Sequence, residues 1–590
     1  MKNLYSANES KELKRPNILF LIVDEQRYPP CYETEALKEW RKENLITQEI
    51  LREKGLSFLN HYVGSTACAP SRTTLFTGHY PSLHGVTQTT GAAKGAFDSN
   101  VYWLDPNTVP TLGNYFRAAG YQTFWRGKWH LSDEDILIPG THNALPSYDT
   151  TTGLPDSAKE RLYAEANRLN AYGFNGWIGP EPHGADPRNS GSSAKVGLSG
   201  RDEVYGAEVV ELIQSLEQNS KTRQNPWLIV SSLVNPHDIT LFGSLSRLSP
   251  NFNFEIDPSV PEISPAPTSR EDLSTKPKAQ RSYRDVYQKA FQPTIDSEFY
   301  RQLYYTLHKK VDDELFKIYT ALANSIFYED TIIVFTSDHG SLLGAHGGLF
   351  QKWHNAYEEA LHVPFIIHSP RLFAEPRETD LLTSHVDILP TLLGLAGINL
   401  EDVQEALRKT HSEVHPFVGK NLASLIKGEQ TIMKVNDPLY FMTDDEATKG
   451  LNQTTLQGEP YSSVSQPNHL ETIMIKLPTG KEDTEEIWKY TRYFDNPQFW
   501  STPHSEDIKT QQLFTTKLSD TKEAIMLIKT TKTEPVDAEF ELYNLTRDPL
   551  EESNLVHPLH QTAETKLVQL LLSQVLKQQR KQKRIYPSNK

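Results

Sequence analysis

The chain has 590 residues, of which 37% are hydrophobic, 23% charged and 10% aromatic. That balance excludes collagen-like, coiled-coil and intrinsically disordered classes and describes a soluble globular chain, long enough for several domains at roughly 100–200 residues each. Sixty basic against 75 acidic residues give a net charge of −15, the wrong sign for a nucleic-acid binder, so an anionic ligand needs a local cluster of positive charge. No apolar run approaches the ~18 residues of a membrane span. The run Ile18–Val23 passes into Asp24-Glu25 without a small-residue cleavage site, so it reads as a strand and the expected location is cytoplasmic. Two cysteines cannot make a disulfide framework. Cys31, in Tyr28-Pro29-Pro30-Cys31, is expected to be a packed free thiol, with lining a pocket as the alternative.

In chain order, Asn17–Val23 is a continuous apolar run of the kind a fully buried parallel strand shows, and Trp227–Val230, Ile332–Phe335 and Phe365–Ile367 resemble it. Between them, Leu303, Leu307, Val311, Leu315, Ile318 and Leu322 recur every three or four residues and predict a long amphipathic helix. Strands alternating with helices predict an α/β fold, a large mainly parallel sheet flanked by helices. Two stretches interrupt it: a Gly-, Ser-, Asn- and Pro-rich segment over about 140–200, least structured from Gly184 to Gly200, and a second at about 244–300 with Pro250, Pro258, Pro261, Pro265, Pro267 and Pro277. Both read as insertions that either form a lid or binding loop or decorate the surface. Within the first, Tyr172–Trp177 is either a packed aromatic turn or a surface on which a sugar or aryl group stacks.

Past about residue 430 short β-rich segments follow, Thr472–Leu477, Trp488–Phe494, Ala524–Lys529 and Phe540–Leu545, and a helix starts near Thr562. The expected organisation is a catalytic α/β domain over 1–430 and a smaller C-terminal α+β domain over 431–590 holding an antiparallel sheet. The basic run Lys577, Arg580, Lys581, Lys583 and Arg584 reads as a solvated helix end, where cations complement the macrodipole.

Ligands in open α/β sheets gather beyond the carboxyl ends of the strands. The first strand ends in Asp24-Glu25 and another in Ser337-Asp338-His339-Gly340, so carboxylates and an imidazole could meet at one divalent cation: Ca²⁺, Mg²⁺ or Mn²⁺ by the oxygen ligands, with the mixed set leaving the metal open. In Cys68-Ala69-Pro70-Ser71-Arg72-Thr73-Thr74-Leu75-Phe76-Thr77-Gly78, Pro70 suits a helix start and Gly78 its end. Cys68 then lies at a helix N-terminus that favours an anion, with Arg72 one turn on. On these grounds alone Cys68 is either a reactive thiol or a buried inert one.

Cys-x-Pro-Ser-Arg followed by Thr-Gly resembles the signature of the sulfatases, a family of the alkaline phosphatase superfamily. The resemblance extends through Asp24, Gly127-Lys128-Trp129-His130-Leu131, Asn235-Pro236-His237, Thr336-Ser337-Asp338-His339-Gly340, Lys352 with Tyr357–Ala360, and Glu541–Leu545 with Asp548-Pro549 and Asn554-Leu555. It implies an alkaline-phosphatase-like fold and a Cys68 oxidised to formylglycine (3-oxoalanine) by a formylglycine-generating enzyme. It also implies a divalent cation, with Ca²⁺ favoured, on Asp24, Asp338, His339 and the modified Cys68, joined by Glu25. Arg72 would orient the formylglycine hydrate. Lys128 and His130 would hold its hydroxyls, with His130 as base for the step that regenerates the aldehyde. His237 and Lys352 would bind the sulfate, one of them protonating the departing alcohol. In the implied cycle a hydrate oxygen attacks sulfur, the alcohol leaves, and loss of the second hydroxyl proton expels sulfate.

The departure is Glu25, where many sulfatases have a second aspartate and related phosphonate monoester hydrolases have glutamine. The expected function is hydrolysis of a small-molecule or carbohydrate sulfate ester. A phosphonate monoester hydrolase or phosphodiesterase of the same superfamily is the alternative, and a non-catalytic anion-binding homologue a third reading. A homo-oligomer is compatible with the sequence.

Overall fold

The computed structural model describes residues 15–182, 186–193, 195, 200–219, 225–429, 437–479, 484–495 and 536–588, and the backbone of 509–514 and 526–531. A seven-stranded sheet is built from β1 (Asn17–Asp24), β2 (Gly55–Tyr62), β3 (Gln122–Gly127), β4 (Trp227–Pro236), β5 (Thr331–Ser337), β6 (Phe365–His368) and β7 (Arg377–Ser384). Its order is β3-β4-β1-β5-β6-β2-β7. The run β3-β4-β1-β5 is parallel throughout, β6 is antiparallel to both neighbours, and β2 pairs parallel with β7.

The unbroken apolar sequence of β1 follows from burial on both faces. Ile18, Phe20 and Ile22 pack on one face with Leu112, Tyr115 and Phe116 and with Ile388, Leu389 and Leu392. Leu19, Leu21 and Val23 pack on the other with Val209, Ile213, Val311, Leu315 and Ile318. The last three belong to the expected stripe, which lies on one helix from Glu298 to Ala323. At ~25 cal/mol per Å², each such fully buried side chain contributes roughly 1.5–3 kcal/mol before entropy is counted.

A second sheet is antiparallel, in the order β13-β10-β9-β8, from β8 (Leu439–Thr443), β9 (His469–Pro478), β10 (Glu485–Phe494) and β13 (Glu539–Asn544). The helix Ala563–Lys583 covers it, with Leu572 and Leu576 against Ile473, Trp488, Tyr490 and Leu542. The expected strand at 524–529 is shifted. β11 (Lys509–Phe514) and β12 (Met526–Thr531) form a separate two-stranded ladder, and Ala524 and Ile525 lie outside the described residues, as does the expected boundary at 430–431.

Three expectations change, and at Tyr172–Trp177 one of the two alternatives is selected. The insertions are not loops throughout: the first holds the helix Ser157–Ala166, the second the helix Lys278–Ala290 and the start of Glu298–Ala323, while much of Gly184–Gly200 lies outside the described residues. Tyr172–Trp177 is the packed aromatic turn: Tyr172, Phe174 and Trp177 are buried, and the Trp177 indole donates to Gly127 O at 3.0 Å. Cys31 is exposed, because the proline turn carries it out of the core. The basic helix end is not simply solvated. Arg580 and Arg584 reach the buried Glu471 carboxylate, Nε of Arg580 donating at 2.8 Å. A carboxylate buried in a sheet needs such partners, so part of the basic run docks the helix.

Candidate active site

Four adjacent parallel strands release their polar residues at one edge of the sheet. β3 is followed by Lys128, β4 by His237 and β5 by Asp338-His339, while β1 ends in Asp24 with Glu25 next. The helix Cys68–Thr77 brings Cys68 to the same place at its first turn, and Gly78 ends it in the left-handed conformation that glycine adopts without strain (φ 69°). Lys352 comes from the segment after β5.

The side chains singled out in the sequence converge. One oxygen each from Asp24 and Asp338, Sγ of Cys68 and a His339 ring nitrogen all lie within 4.8 Å of one another, and so do one oxygen each from Asp24 and Glu25 and a nitrogen of His237. Cys68 Sγ is 3.1 Å from His339 Nε2 and 4.0 Å from Asp24 Oδ1. Nδ1 of His339 sits 3.0 Å from Gly340 O, a geometry in which Nδ1–H donates and Nε2 keeps its lone pair toward the cluster. The Glu25 N–H donates to Asp338 Oδ1 at 3.1 Å, and its carbonyl accepts from Tyr304 at 2.7 Å. Asp24, Glu25, Asp338 and His339 are all fully buried.

Three cations neutralise the carboxylates. Arg72 donates from Nε to Asp338 Oδ2 at 2.7 Å and from Nη2 to Asp24 Oδ2 at 3.1 Å, while its Nη1 reaches Ser232 Oγ at 2.8 Å. Lys128 Nζ lies 2.6 Å from Asp24 Oδ2, and Lys352 Nζ lies 3.1 Å from Glu25 Oε2. Burial alone would drive the Asp24 carboxyl up, but Lys128, His237 and Arg72 hold it well below the usual range. Glu25 is pushed up, because burial outweighs Lys352. Burial, then the charge on Asp24, pushes the Cys68 thiol up to about 12.

His130 and His237 are held well below the ordinary imidazole range by burial and then by Lys128. His130 places Nε2 3.2 Å from Thr90 Oγ1 and leaves Nδ1 buried without a partner among the described residues, so it stands as a neutral imidazole with one nitrogen open.

Sequence reasoning missed several contributors. Glu181 accepts the Trp129 N–H with both oxygens at 3.1 Å, beside the Lys128–His130 turn, and burial raises it to about 8. It lies in the first insertion, read as either a lid or binding loop or surface decoration, where no local signal marks it. Ser232 did leave a signal: a pair of serines, Ser231-Ser232, inside an otherwise apolar strand. Ser71 donates to Asp338 O, tying the helix to the end of β5.

A buried cluster of carboxylates, an imidazole and a thiol thus lies at the carboxyl edge of a mainly parallel sheet, ringed by Arg72, Lys128 and Lys352, on a fold of the alkaline phosphatase-like class. The sulfatase family model matches residues 16–398, and the chain belongs to the sulfatase family. Among curated relatives it is 28% identical over 401 residues to the uncharacterised sulfatase YidJ of Escherichia coli, covering 66% of this chain and 70% of that protein. It is 27% identical over 399 residues to choline-sulfatase of Rhizobium meliloti, covering 66% and 69%. Among solved structures it resembles BT4656 in complex with its substrate D-glucosamine-2-N,6-O-disulfate, with a TM-score of 0.57, 18% identity and coverage of 96% of this chain and 98% of that one. It also resembles the phosphonate monoester hydrolase of Agrobacterium radiobacter, with a TM-score of 0.56, 17% identity and coverage of 96% of each chain. At these identities the two structures speak for the fold. No helix among the described residues is long and apolar enough to cross a membrane.

Proposed function

We propose that the protein hydrolyses a sulfate monoester at Cys68, converted to formylglycine by a formylglycine-generating enzyme, with one divalent cation beside it. The observation that carries this reading is the convergence of Asp24, Cys68, Asp338 and His339 on one buried point. The donors fit a cation. Asp24 is held ionised, His339 offers Nε2, and Glu25 keeps Oε1 buried without a partner among the described residues, an acceptor that a cation would satisfy. The carboxylate oxygens suit Ca²⁺, Mg²⁺ or Mn²⁺, the imidazole leaves the metal open, and membership of the sulfatase family favours Ca²⁺. When bound, the cation supplies charge stabilisation at the reacting group. The formylglycine hydrate supplies one hydroxyl for attack and a second whose deprotonation releases sulfate.

The chain's own residues do the rest. Arg72 spans Asp24 and Asp338 and so fixes the two carboxylates relative to the nucleophile's helix. Lys128 and His130 hold the hydroxyls of the hydrate, and the role of His130 as base is supported by its neutral ring and its unpartnered Nδ1. Lys352 stays protonated: burial works against the charge, but the carboxylates of Glu25, Asp24 and Asp338 raise it above the usual lysine range. It binds sulfate oxygens with His237, and one of the two protonates the departing alcohol. Arg72, Lys128 and Lys352 offset the charge of Asp24, Glu25 and Asp338, so a bound cation leaves the site positive in a chain of charge −15, and charges a few ångströms away in a water-poor cleft outweigh distant, screened ones.

The substrate class proposed is a small-molecule or carbohydrate sulfate ester, supported by the names of the relatives. One observation favours a second reading, a phosphonate monoester hydrolase or phosphodiesterase: the fold is shared with such an enzyme and Glu25 stands where a second aspartate is usual. Turnover of matched aryl esters by protein whose Cys68 is converted decides between them.

A further inference from the structure

We infer that Asp445, which follows β8 of the C-terminal sheet, is a positioning residue that sets three active-site segments relative to one another. The inference rests on the reading of Cys68 as the reaction centre. Asp445 is 4% exposed. Its Oδ2 accepts the backbone N–H of Ala67 at 3.2 Å, the residue before Cys68, and the indole N–H of Trp353 at 2.9 Å, the residue after Lys352. Its Oδ1 accepts the N–H of Thr89 at 3.0 Å, the residue before Thr90, whose Oγ1 lies 3.2 Å from His130 Nε2. One carboxylate therefore sits a single residue away from the nucleophile, from the sulfate-binding lysine and from the partner of the base.

The surrounding contacts hold that carboxylate in place. Thr443 Oγ1 donates to Thr66 O at 2.5 Å, the N–H of Met442 to Gly64 O at 3.2 Å, and the N–H of Glu446 to Gln88 Oε1 at 3.2 Å. Residues 442–446 thus form a strap from the antiparallel sheet onto the loop that leads into Cys68. Lys352 Nζ in turn lies 5.0 Å from the Trp353 ring centroid, so the indole that Asp445 anchors also supports the lysine. A buried acceptor serving three donors is expensive to disturb, because each N–H left without a partner costs its desolvation.

The test uses the full chain co-expressed with a formylglycine-generating enzyme, with the Gly55–Arg72 tryptic peptide weighed to measure conversion. Asp445→Asn keeps the volume but replaces an acceptor oxygen with a donor facing N–H groups. It is expected to lower kcat about 10- to 100-fold toward whichever aryl sulfate or aryl phosphonate monoester the parent turns over, as misplacements of about 1 Å do. KM should stay within about threefold, since substrate binding groups are not substituted, conversion should match the parent, and Tm should fall while the variant stays folded at the assay temperature. A folded, fully converted Asp445→Asn with parental kcat overturns the inference. So does a loss explained entirely by KM or by incomplete conversion. If that variant does not fold, Trp353→Phe, which deletes only one donor, decides: a kcat loss of about 3- to 10-fold at constant KM supports the role, and parental kcat overturns it. An inactive parent with converted Cys68 would overturn the proposed function and the positioning role with it, whereas an active parent with unaffected variants overturns the role of Asp445 alone.

Discussion

Cys68 stands in the structure as a neutral, buried thiol beside two carboxylates, an environment that disfavours the thiolate a cysteine nucleophile would need. Cys68→Ala is expected to abolish turnover, and Cys68→Ser to give at most one turnover per chain, read as a burst of released alcohol with the adduct detected by intact mass. Sustained turnover by the serine variant would contradict the formylglycine mechanism. Glu25 is the other informative residue. Its Oε1 is free and its Oε2 is held by Lys352, so Glu25→Gln removes charge without removing bulk. If the carboxylate ligates the cation, the variant's Kd for Ca²⁺ by calorimetry rises about 10- to 100-fold. An unchanged Kd would take Glu25 out of the ligand set.

At the scale of elements, the strands that deliver the chemistry were legible because full burial writes itself as an unbroken apolar run, and the ligands sit where those runs stop. β2, β3 and β7 were not legible. Gln122 and Arg126 in β3 and Arg377, Glu378 and Asp380 in β7 break any apolar or alternating pattern, as edge strands do. Glu181 and Asp445 were hidden for another reason, since a contact between Asp445 and Ala67 joins positions with no local sequence relation. A further staple lies outside the site. His346 is buried, with Nδ1 3.1 Å from Glu271 and Nε2 3.2 Å from Glu359, and it ties the second insertion to the turn Glu358–Leu361. Burial opposes its charge, but Glu359 and then Glu271 raise it from the ordinary 6.5 to about 9. A folded-state value above the unfolded one means the proton stabilises the fold fully below pH 6.5, and that stabilisation fades as pH rises through about 9. The stability gap between the parent and His346→Gln, from urea unfolding, should therefore be largest below pH 6.5 and shrink toward pH 9. A gap independent of pH would show that His346 is not charged in the fold.

In the molecule as a whole, a negatively charged chain holds a site whose carboxylates are balanced by buried cations, and a second sheet contacts the segment that leads into Cys68. Binding of a cation to the folded state alone stabilises it by mass action, about 2.7 kcal/mol at a hundredfold excess over Kd. Chelation is accordingly expected to lower Tm and added Ca²⁺ to restore it, and an unaltered Tm would contradict a resident cation. The claim on which the rest depends is the identity of the bond cleaved. It is tested most directly by kcat/KM for an aryl sulfate against the matching aryl phosphonate monoester and phosphodiester, with conversion of Cys68 confirmed and Cys68→Ala as control. The account predicts that the sulfate wins by well over tenfold, more than about 1.4 kcal/mol of transition-state preference. A phosphorus ester that wins by that margin would leave the fold and the convergent residues in place and contradict the sulfatase activity.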